Sequence, residues 1–196
     1  MIRTWIPACA GMKLPFFMDE KVDILDASGI PTGQSCLKSE AHRLGLFHPT
    51  VHVWCYSLDG MVLLQQRGRN KINFPLKWDI SVAGHVSAGE AIEEAAIREV
   101  QEEIGVGIQI SQLEKIGVFK TEHQHAEDYL DKEFNHTFLC QLSTQTTLLK
   151  QESEVETLAW FTLEKFKTWV SENNELLVPN LDMRYEKVIA EIESRL

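Results

Sequence analysis

Residues 84–106 of the chain read GHVSAGEAIEEAAIREVQEEIGV, and this stretch decides the fold. Glu99, Glu102 and Glu103 stand at positions i, i+3 and i+4 of a predicted helix, so their carboxylates share one helical face. Like charges placed that closely repel each other, and a bound divalent cation would remove the cost. Because every ligand atom is an oxygen, the pattern indicates a hard ion, Mg²⁺ or Mn²⁺, rather than zinc.

The same stretch carries signals for where this helix begins and ends. Ser87 and Glu90 have the spacing of a capping box, which predicts a helix start at Ser87, although an N-cap two or three residues later also fits. Gly105 suits the left-handed residue that follows a helix, with Val106 as its hydrophobic partner. An apolar stripe on another side of the helix is expected to face the core: Ala96, Ile97, Val100 and Ile104.

This stretch resembles the Nudix box, whose pattern is Gly-x5-Glu-x7-Arg-Glu-U-x-Glu-Glu-x-Gly-U with U an aliphatic residue. The match covers every specified position: Gly84, Glu90, Arg98, Glu99, Val100, Glu102, Glu103, Gly105 and Val106. The resemblance implies the Nudix fold and hydrolysis of a diphosphate that is linked to another moiety. It also implies that the three glutamates of the acidic face hold the metal and that Arg98 and Glu90 brace the loop against the helix.

Two segments before the helix predict where a diphosphate binds. Gly84 opens a Gly-containing loop that leads to a helix N-terminus, where backbone N–H groups favour an anion. Four cations precede this loop and suit a diphosphate cradle in an acidic chain, although an ordinary solvated loop fits as well: Arg67, Arg69, Lys71 and Lys77. The spacing does not choose the general base, for which four glutamates stay open: Glu103, Glu122, Glu127 and Glu133.

From about Lys21 to Leu142 the chain resembles one Nudix branch, isopentenyl-diphosphate isomerase and its hydrolase-like relatives. The shared residues include Phe47-His48, Arg67, Lys71 and Trp78-x-x-Ser81-Val82-Ala83-Gly84-His85. In the isomerase, a divalent metal is bound at the positions that match His42, His48, His85 and Glu133, and the His42–His48 spacing is one residue shorter here. The positions that match Lys38, Arg67 and Lys71 contact the diphosphate, which implies a substrate-binding role for these three residues.

Two departures from the isomerase favour a hydrolase. Where the isomerase has a protonating cysteine and a glutamate, this chain has Ala83 and Asn135, and neither a methyl nor an amide group exchanges a proton with carbon. The isomerase box is also degenerate at the metal glutamates, whereas this box is complete. An isomerase and a non-catalytic nucleotide sensor remain the alternative predictions.

The length and composition of the chain limit the class of protein that these motifs can belong to. The chain has 196 residues and a net charge of −10, which fits one globular domain and does not indicate a nucleic-acid-binding face. We expect a poorly defined extension at 1–19, a single domain at 20–196, and an N-terminal hairpin with a short helix at 20–47. The irregular cysteine spacing favours free thiols in a reducing compartment over disulfides or a metal site: Cys9, Cys36, Cys55 and Cys140. The first residues fit an export signal poorly, and Met12 or Met18 is an alternative start.

Periodicity predicts an α+β sandwich in which helices pack on a mixed sheet, and this agrees with the α/β/α Nudix sandwich. Strands are expected at 21–25, 31–37, 51–57, 61–66, 78–83, 113–122, 133–142 and 156–162, with a charged loop at 122–132. Helices are expected at 39–44, 163–173 and 182–196, with a break at Pro179-Asn180.

Several ring side chains have two interpretations. His48, His52 and His85 fit either metal ligands or hydrogen-bonded core residues. Trp54, Trp78 and Trp160 are expected in the core, although Trp78 or Phe74 could stack on a substrate base.

The sequence therefore predicts a cytoplasmic hydrolase that requires Mg²⁺ or Mn²⁺ and acts on a small nucleoside-diphosphate-linked or other phosphorylated metabolite. The expected partner is this small molecule, with neither nucleic acid nor a membrane, and a homodimer through the N-terminal hairpin is one expected assembly.

Overall fold

The sheet is built around β3 (His48–Ser57), in which every residue is buried. The structure is a computed structural model that describes residues 19–127, 129–179 and 184–196, so the expected extension, apart from Asp19, and Cys9 lie outside it. The strands follow in chain order: β1 (Lys21–Leu25), β2 (Pro31–Leu37), β3, β4 (Met61–Arg67), β5 (Trp78–Asp79), β6 (Val82–His85), β7 (Leu113–Ala126), β8 (Tyr129–Gln141) and β9 (Val155–Thr162). The helices are α1 (Lys38–Leu44), α2 (Ile92–Ile104), α3 (Leu163–Ser171) and α4 (Arg184–Glu193).

Seven of these strands form one mixed sheet. Its main order is β5-β4-β3-β8-β7, while β6 pairs with β3 and β9 pairs with β4. The pairing of β3 with β8 is parallel and all the other pairings are antiparallel. β3 lies inside this sheet, and side chains from other elements pack on both of its faces, which explains why all of its residues are buried.

Helices cover the two faces of this sheet, and this arrangement confirms the predicted α/β/α sandwich. One face of β3, which includes Val51 and Val53, packs against α2 through Val100 and Ile104. The opposite face packs Trp54 against α3 and α4, with the Phe166 and Tyr185 rings each 5.5 Å from it. The hairpin of β1 and β2 forms a separate two-stranded sheet, as expected for the N-terminal extension of the fold.

Helix α2 begins later than the capping box predicts. Its N-cap is Ala91, four residues after Ser87 and beyond the later start that the sequence allowed. The backbone N–H of Ser87 does donate to Glu90, at 3.0 Å, but the Ser87 hydroxyl donates to Glu20 instead of the helix. The glycine stop is as predicted, because Gly105 has a φ of 73° and its N–H donates to the Gln101 carbonyl.

The predicted loop at 122–132 is wrong. β7 and β8 continue through this segment as a long hairpin, with Glu122 opposite Lys132 and Ala126 opposite Tyr129. Exposed and partly buried residues alternate along the end of β7, so a high content of polar residues there is compatible with a strand. The predicted strand at 78–83 is divided into β5 and β6, and Asn180 and the first two residues of the expected helix at 182–196 lie outside the described residues.

Two further expectations concern cysteines and membranes. Cys36, Cys55 and Cys140 are free thiols, and Cys55 lies opposite Cys140 in the β3–β8 pairing. Among the residues that the structure describes, no helix is long and apolar enough to cross a membrane.

Candidate metal and substrate site

The acidic face of α2 lies at the end of β6, and its three glutamates line one cavity. Glu99 and Glu103 are buried, whereas the Glu102 side chain is 49% exposed. Glu103 accepts hydrogen bonds from the Gln65 side-chain amide at 2.8 Å and from the Ala83 backbone N–H at 3.1 Å. A Cβ atom on Gly84 would overlap the Glu99 carboxyl group, so glycine is required for this close approach.

Burial makes these carboxylates suitable for a cation. Desolvation, together with the charge of Glu99, raises the pKa of Glu103 to about 8. Desolvation also raises the pKa of Glu99, although the neighbouring Arg98 opposes this shift. Two buried carboxyl groups that resist ionisation are the environment in which a divalent cation offsets the largest cost. The residues present therefore fit the Mg²⁺ or Mn²⁺ site that the sequence predicts.

Arg98 joins the loop to the helix. Its Nε and Nη2 donate to the two oxygens of Glu90 at 2.8 and 2.9 Å, and Nη2 also donates to the His85 carbonyl at 2.9 Å. A fourth hydrogen bond, from Nη1 to Glu99 at 2.7 Å, positions one of the carboxylates proposed to bind the metal. The bond to Arg98 is the largest cause of a lowered pKa at Glu90. The geometry places Arg98 and Glu90 between the loop and the helix, where the resemblance expects a brace.

A second cluster forms where β6, β3 and β8 run side by side. The register pairs Thr50 with His85 and His48 with Glu133, and α1 adds His42 from above. One ring nitrogen of each histidine lies within 4.8 Å of the others. Glu133 Oε1 lies 3.9 Å from His48 Nε2 and 3.8 Å from His85 Nε2. His48 and His85, which the sequence left divided between ligand and core interpretations, therefore lie near a carboxylate.

The protonation of two of these rings, His48 and His85, suits metal binding. His48 Nδ1 lies 2.9 Å from the Leu46 carbonyl, which only accepts, so Nδ1 carries the proton and Nε2 has a lone pair. His48 Nε2 and His85 Nε2 are buried without a hydrogen-bond partner among the described residues. Burial lowers the pKa of His48 to about 4 and that of His85 well below its usual value, so both rings are neutral at pH 7. Neutral imidazoles and a carboxylate fit the divalent metal that the isomerase resemblance implies.

His52 does not join this cluster. It is buried, and its Nδ1 lies 3.2 Å from Nη1 of Arg184. The core interpretation therefore describes His52 better than it describes His48 or His85.

The cavity beside both clusters has a volume of about 1150 Å³. Of the predicted substrate-binding residues, Lys38, Arg67, Lys71 and Gly84 all line it. Each of the three cations already contacts an acid: Lys38 lies 3.6 Å from Glu20, Arg67 lies 2.8 Å from Asp79, and Lys71 pairs with Glu154.

The predicted cradle of four cations is only half present. Arg69 pairs with Glu156 and Lys77 donates to the Glu175 carbonyl, and neither lines the cavity. β4 ends at Arg67, so the cations that follow lie on an irregular loop and do not share one face. Among the candidate general bases, Glu103, Glu122 and Glu133 line the cavity and Glu127 does not.

The sequence did not single out Asp131, which connects two histidines. Its Oδ1 lies 2.8 Å from His42 Nδ1 and its Oδ2 lies 2.6 Å from His125 Nε2. The sequence signal that could have identified Asp131 is its position two residues before Glu133, because residues i and i+2 of a strand lie on the same face. That signal was missed because 122–132 was predicted to be a loop.

An α/β/α sandwich that presents three glutamates from a helix beside a Gly-containing loop defines the Nudix class of folds. A family model described as the NUDIX domain matches residues 46–181, so the chain belongs to this family. This finding confirms the resemblance on which the sequence interpretation depends.

The chain is similar to named hydrolases and to named isomerases of this family. It is 34% identical over 183 residues to Nudix hydrolase 3 of Arabidopsis thaliana, an alignment that covers 90% of this chain and 24% of the plant protein. It is 35% identical over 141 residues to the isopentenyl-diphosphate Delta-isomerase of Nocardia farcinica, covering 71% of this chain and 77% of the isomerase. The chain thus spans about a quarter of the length of the plant relative.

A solved structure supports the fold. The Deinococcus radiodurans protein DR0079 superposes with a TM-score of 0.65 at 20% identity, covering 86% of this chain and 98% of that one. At this identity the likeness concerns the fold alone.

Proposed function

We propose that the chain is a hydrolase that requires a divalent metal and cleaves the diphosphate bond of a small nucleoside-diphosphate-linked or other phosphorylated metabolite. The observation that carries this proposal is the pair of buried carboxylates beside the exposed Glu102: Glu99 lies against Gly84, and Glu103 accepts from the Ala83 backbone N–H. A binding protein does not need this costly arrangement, whereas hydrolysis of a diphosphate does.

Each predicted residue has a role in this proposal. Glu99, Glu102 and Glu103 hold Mg²⁺ or Mn²⁺, which when bound neutralises phosphate charge and acidifies water. Arg98 and Glu90 keep the loop and helix in register. The remaining site residues bind the diphosphate: Lys38, Arg67, Lys71 and Gly84. The acid pairs of the three cations fix their ammonium and guanidinium groups at the cavity wall, so little side-chain freedom is lost on binding.

We further propose that residues 20–196 act as a single domain in the cytoplasm on this small-molecule substrate. The general base is one of the three cavity glutamates, Glu103, Glu122 and Glu133. Glu103 has the highest pKa of these in the metal-free protein, and Glu133, with a pKa raised to about 7 by burial, is the second candidate.

The test is phosphate or nucleotide release with Mg²⁺ across nucleoside diphosphate sugars, dinucleotides, coenzyme A, nucleoside triphosphates and isoprenoid diphosphates. Glu102→Gln is the loss-of-function variant and Glu114→Gln, whose exposed side chain pairs with Arg195 and does not line the cavity, is the matched control. We expect one substrate class to be hydrolysed by the wild type and by Glu114→Gln and not by Glu102→Gln. Tight binding of a nucleotide without turnover would favour the sensor instead.

The isomerase is the second candidate, because the histidine cluster and the Nocardia relative both favour it. The structure supplies an argument against it at Asn135. Its amide NH₂ group donates to Thr50 and to Glu133, each at 2.7 Å, and its oxygen accepts from Arg184 at 3.2 Å. An amide fixed in this way neither gives nor takes a proton at carbon. Deuterium incorporation into isopentenyl diphosphate in D₂O would establish the isomerase.

A further inference from the structure

The cavity that the α2 glutamates line extends to the opposite helical layer of the sandwich, where Arg184 forms part of its wall. Arg184 is the first residue of α4. The next residue, Tyr185, is buried against the Trp54 ring, and its hydroxyl donates to the Val178 carbonyl at 3.2 Å. These contacts fix the start of α4 against the sheet, and they place Arg184 at the cavity.

Two side chains of the sheet orient the guanidinium group of Arg184. Its Nη1 donates to Asn135 Oδ1 at 3.2 Å and lies 3.2 Å from His52 Nδ1. Because arginine only donates, His52 Nδ1 accepts and the proton of this ring is on Nε2. Burial, together with the charges of Arg184 and Arg67, holds the pKa of His52 well below its usual value, so the ring is neutral at pH 7. Both acceptors are uncharged, and these two contacts orient the guanidinium without cancelling its charge.

The positive charge of Arg184 acts on the groups around it. After desolvation, this charge is the largest cause of the lowered pKa of His52, and it opposes the rise that burial causes in the pKa of Glu133. Arg67, which we propose to bind the diphosphate, also lowers the pKa of His52. Two cations from different elements, β4 and α4, thus act on one buried ring of the cavity wall.

The guanidinium group determines what kind of ligand group can lie against this wall. The Arg184 side chain is partly buried. A hydrocarbon chain placed on it would remove its N–H groups from water without pairing them, which is unfavourable. A guanidinium has five N–H donors in a planar fork, enough to bind two oxygens of a carboxylate or a phosphate while it keeps protein partners. The wall at Arg184 therefore favours an anionic oxygen group.

We propose that Arg184 is a specificity-determining residue that binds an anionic oxygen group of the substrate, a carboxylate or a phosphate ester, separate from the diphosphate. His52 and Asn135 position its guanidinium group. This inference rests on the proposed function, which it narrows to diphosphates that carry a second anionic group. The cavity of about 1150 Å³ exceeds the roughly 300–1,000 Å³ of ordinary ligand pockets, so it has room for both groups.

The first experiment measures kcat/KM with Mg²⁺ on two matched pairs of diphosphates. UDP-glucuronic acid differs from UDP-glucose by one carboxylate, and coenzyme A differs from dephospho-coenzyme A by one phosphate ester. We expect the wild type to prefer the anionic member of one pair, and that pair identifies the group. The preference is the ratio of the two kcat/KM values, so a folding defect, which lowers both values alike, leaves it unchanged.

Substitutions of Arg184 test whether this residue causes the preference. Arg184→Met should lower the ratio roughly 10- to 100-fold, because it removes charge-assisted hydrogen bonds to the anionic group. Arg184→Lys should lower it less, since lysine keeps the charge and loses the planar fork. Arg195→Met is the matched control and should keep the wild-type ratio, because Arg195 pairs with Glu114 just after α4 and does not line the cavity.

A binding measurement makes the result independent of turnover. Titration calorimetry with Mg²⁺ compares the Kd values of each pair in Glu102→Gln and in Glu102→Gln/Arg184→Met, and the ratio within a pair should fall by a similar factor. Equal ratios with and without Arg184 would overturn the inference, and so would a wild type that prefers isopentenyl diphosphate to all four compounds. If hydrolysis is observed in either case, the hydrolase proposal stands. Absence of turnover of every compound, with a Kd ratio that depends on Arg184, would instead overturn the hydrolase and keep the anion site.

Discussion

Gly84 is the residue at which the backbone of β6 and the carboxyl group of Glu99 come closest. We predict that Gly84→Ala lowers kcat/KM roughly 100-fold, because the added methyl group displaces a metal ligand from its place. Gly107→Ala is the control, since its Cβ would meet only the end of the Gln101 side chain, at 3.4 Å. Kinetics at saturating Mg²⁺, with thermal unfolding of each variant, provide the measurement, and an unchanged kcat/KM in Gly84→Ala would contradict the geometry.

Glu103 gives the metal-free protein a pH dependence whose sign follows from its raised pKa. The unfolded chain loses this proton near pH 4.5, whereas the folded protein keeps it to about pH 8. The contribution of Glu103 is therefore fully present below pH 4.5 and is lost as the pH rises toward 8, at about 1.4 kcal/mol per unit. Urea unfolding in a chelator at pH 5, 6.5 and 8 measures the decline. Glu103→Gln should flatten it, and an identical slope in both proteins would show that Glu103 ionises normally.

At the scale of elements, local sequence signals predicted the acidic face and the end of α2 better than they predicted where this helix begins. The glycine stop and the shared acidic face are properties of a few neighbouring residues, and both are present. The start of α2 depends on Arg98, eight residues away, which holds the Glu90 side chain in the loop, and on Glu20, which binds the Ser87 hydroxyl. The capping box was predicted from residue spacing alone, and spacing carries no information about these two competing hydrogen-bond partners.

The contact between α1 and the β7–β8 hairpin gives a prediction at the same scale. Asp131 accepts from His42 Nδ1, which directs the other ring nitrogen toward the histidine cluster. We predict that Asp131→Asn weakens binding of Mn²⁺ or Zn²⁺ to this cluster roughly 10- to 100-fold, because the amide orients the ring less firmly. Titration calorimetry measures the affinity, and Glu114→Gln serves again as the remote control. Equal affinities in the two variants would remove Asp131 from the support of the cluster.

At the scale of the whole molecule, the sequence could name the site residues without bringing them together. Three glutamates on one helix turn are adjacent by local geometry. His42, His48, His85 and Glu133 become neighbours only through the β6–β3–β8 register and the packing of α1. Family resemblance supplied this set, while spacing alone favoured ordinary core histidines. The structure also separates the four upstream cations, because only Arg67 and Lys71 stay at the cavity.

Two donor sets of different chemistry beside one cavity lead to a prediction for metal removal. Imidazoles suit transition metals, whereas the all-oxygen glutamate face suits Mg²⁺. We predict that the purified protein retains about one transition-metal ion per chain after dialysis and still needs added Mg²⁺ for turnover. Removal of the retained ion by a strong chelator should lower the Tm at pH 7, since a ligand at about 1,000 times its Kd adds about 4 kcal/mol to the free energy of unfolding. Elemental analysis and thermal unfolding of the wild type and of His48→Gln provide the measurement. If His48→Gln retains as much metal as the wild type, the ion is bound elsewhere; if the chelator leaves the Tm of the wild type unchanged, the cluster contributes no metal-dependent stability.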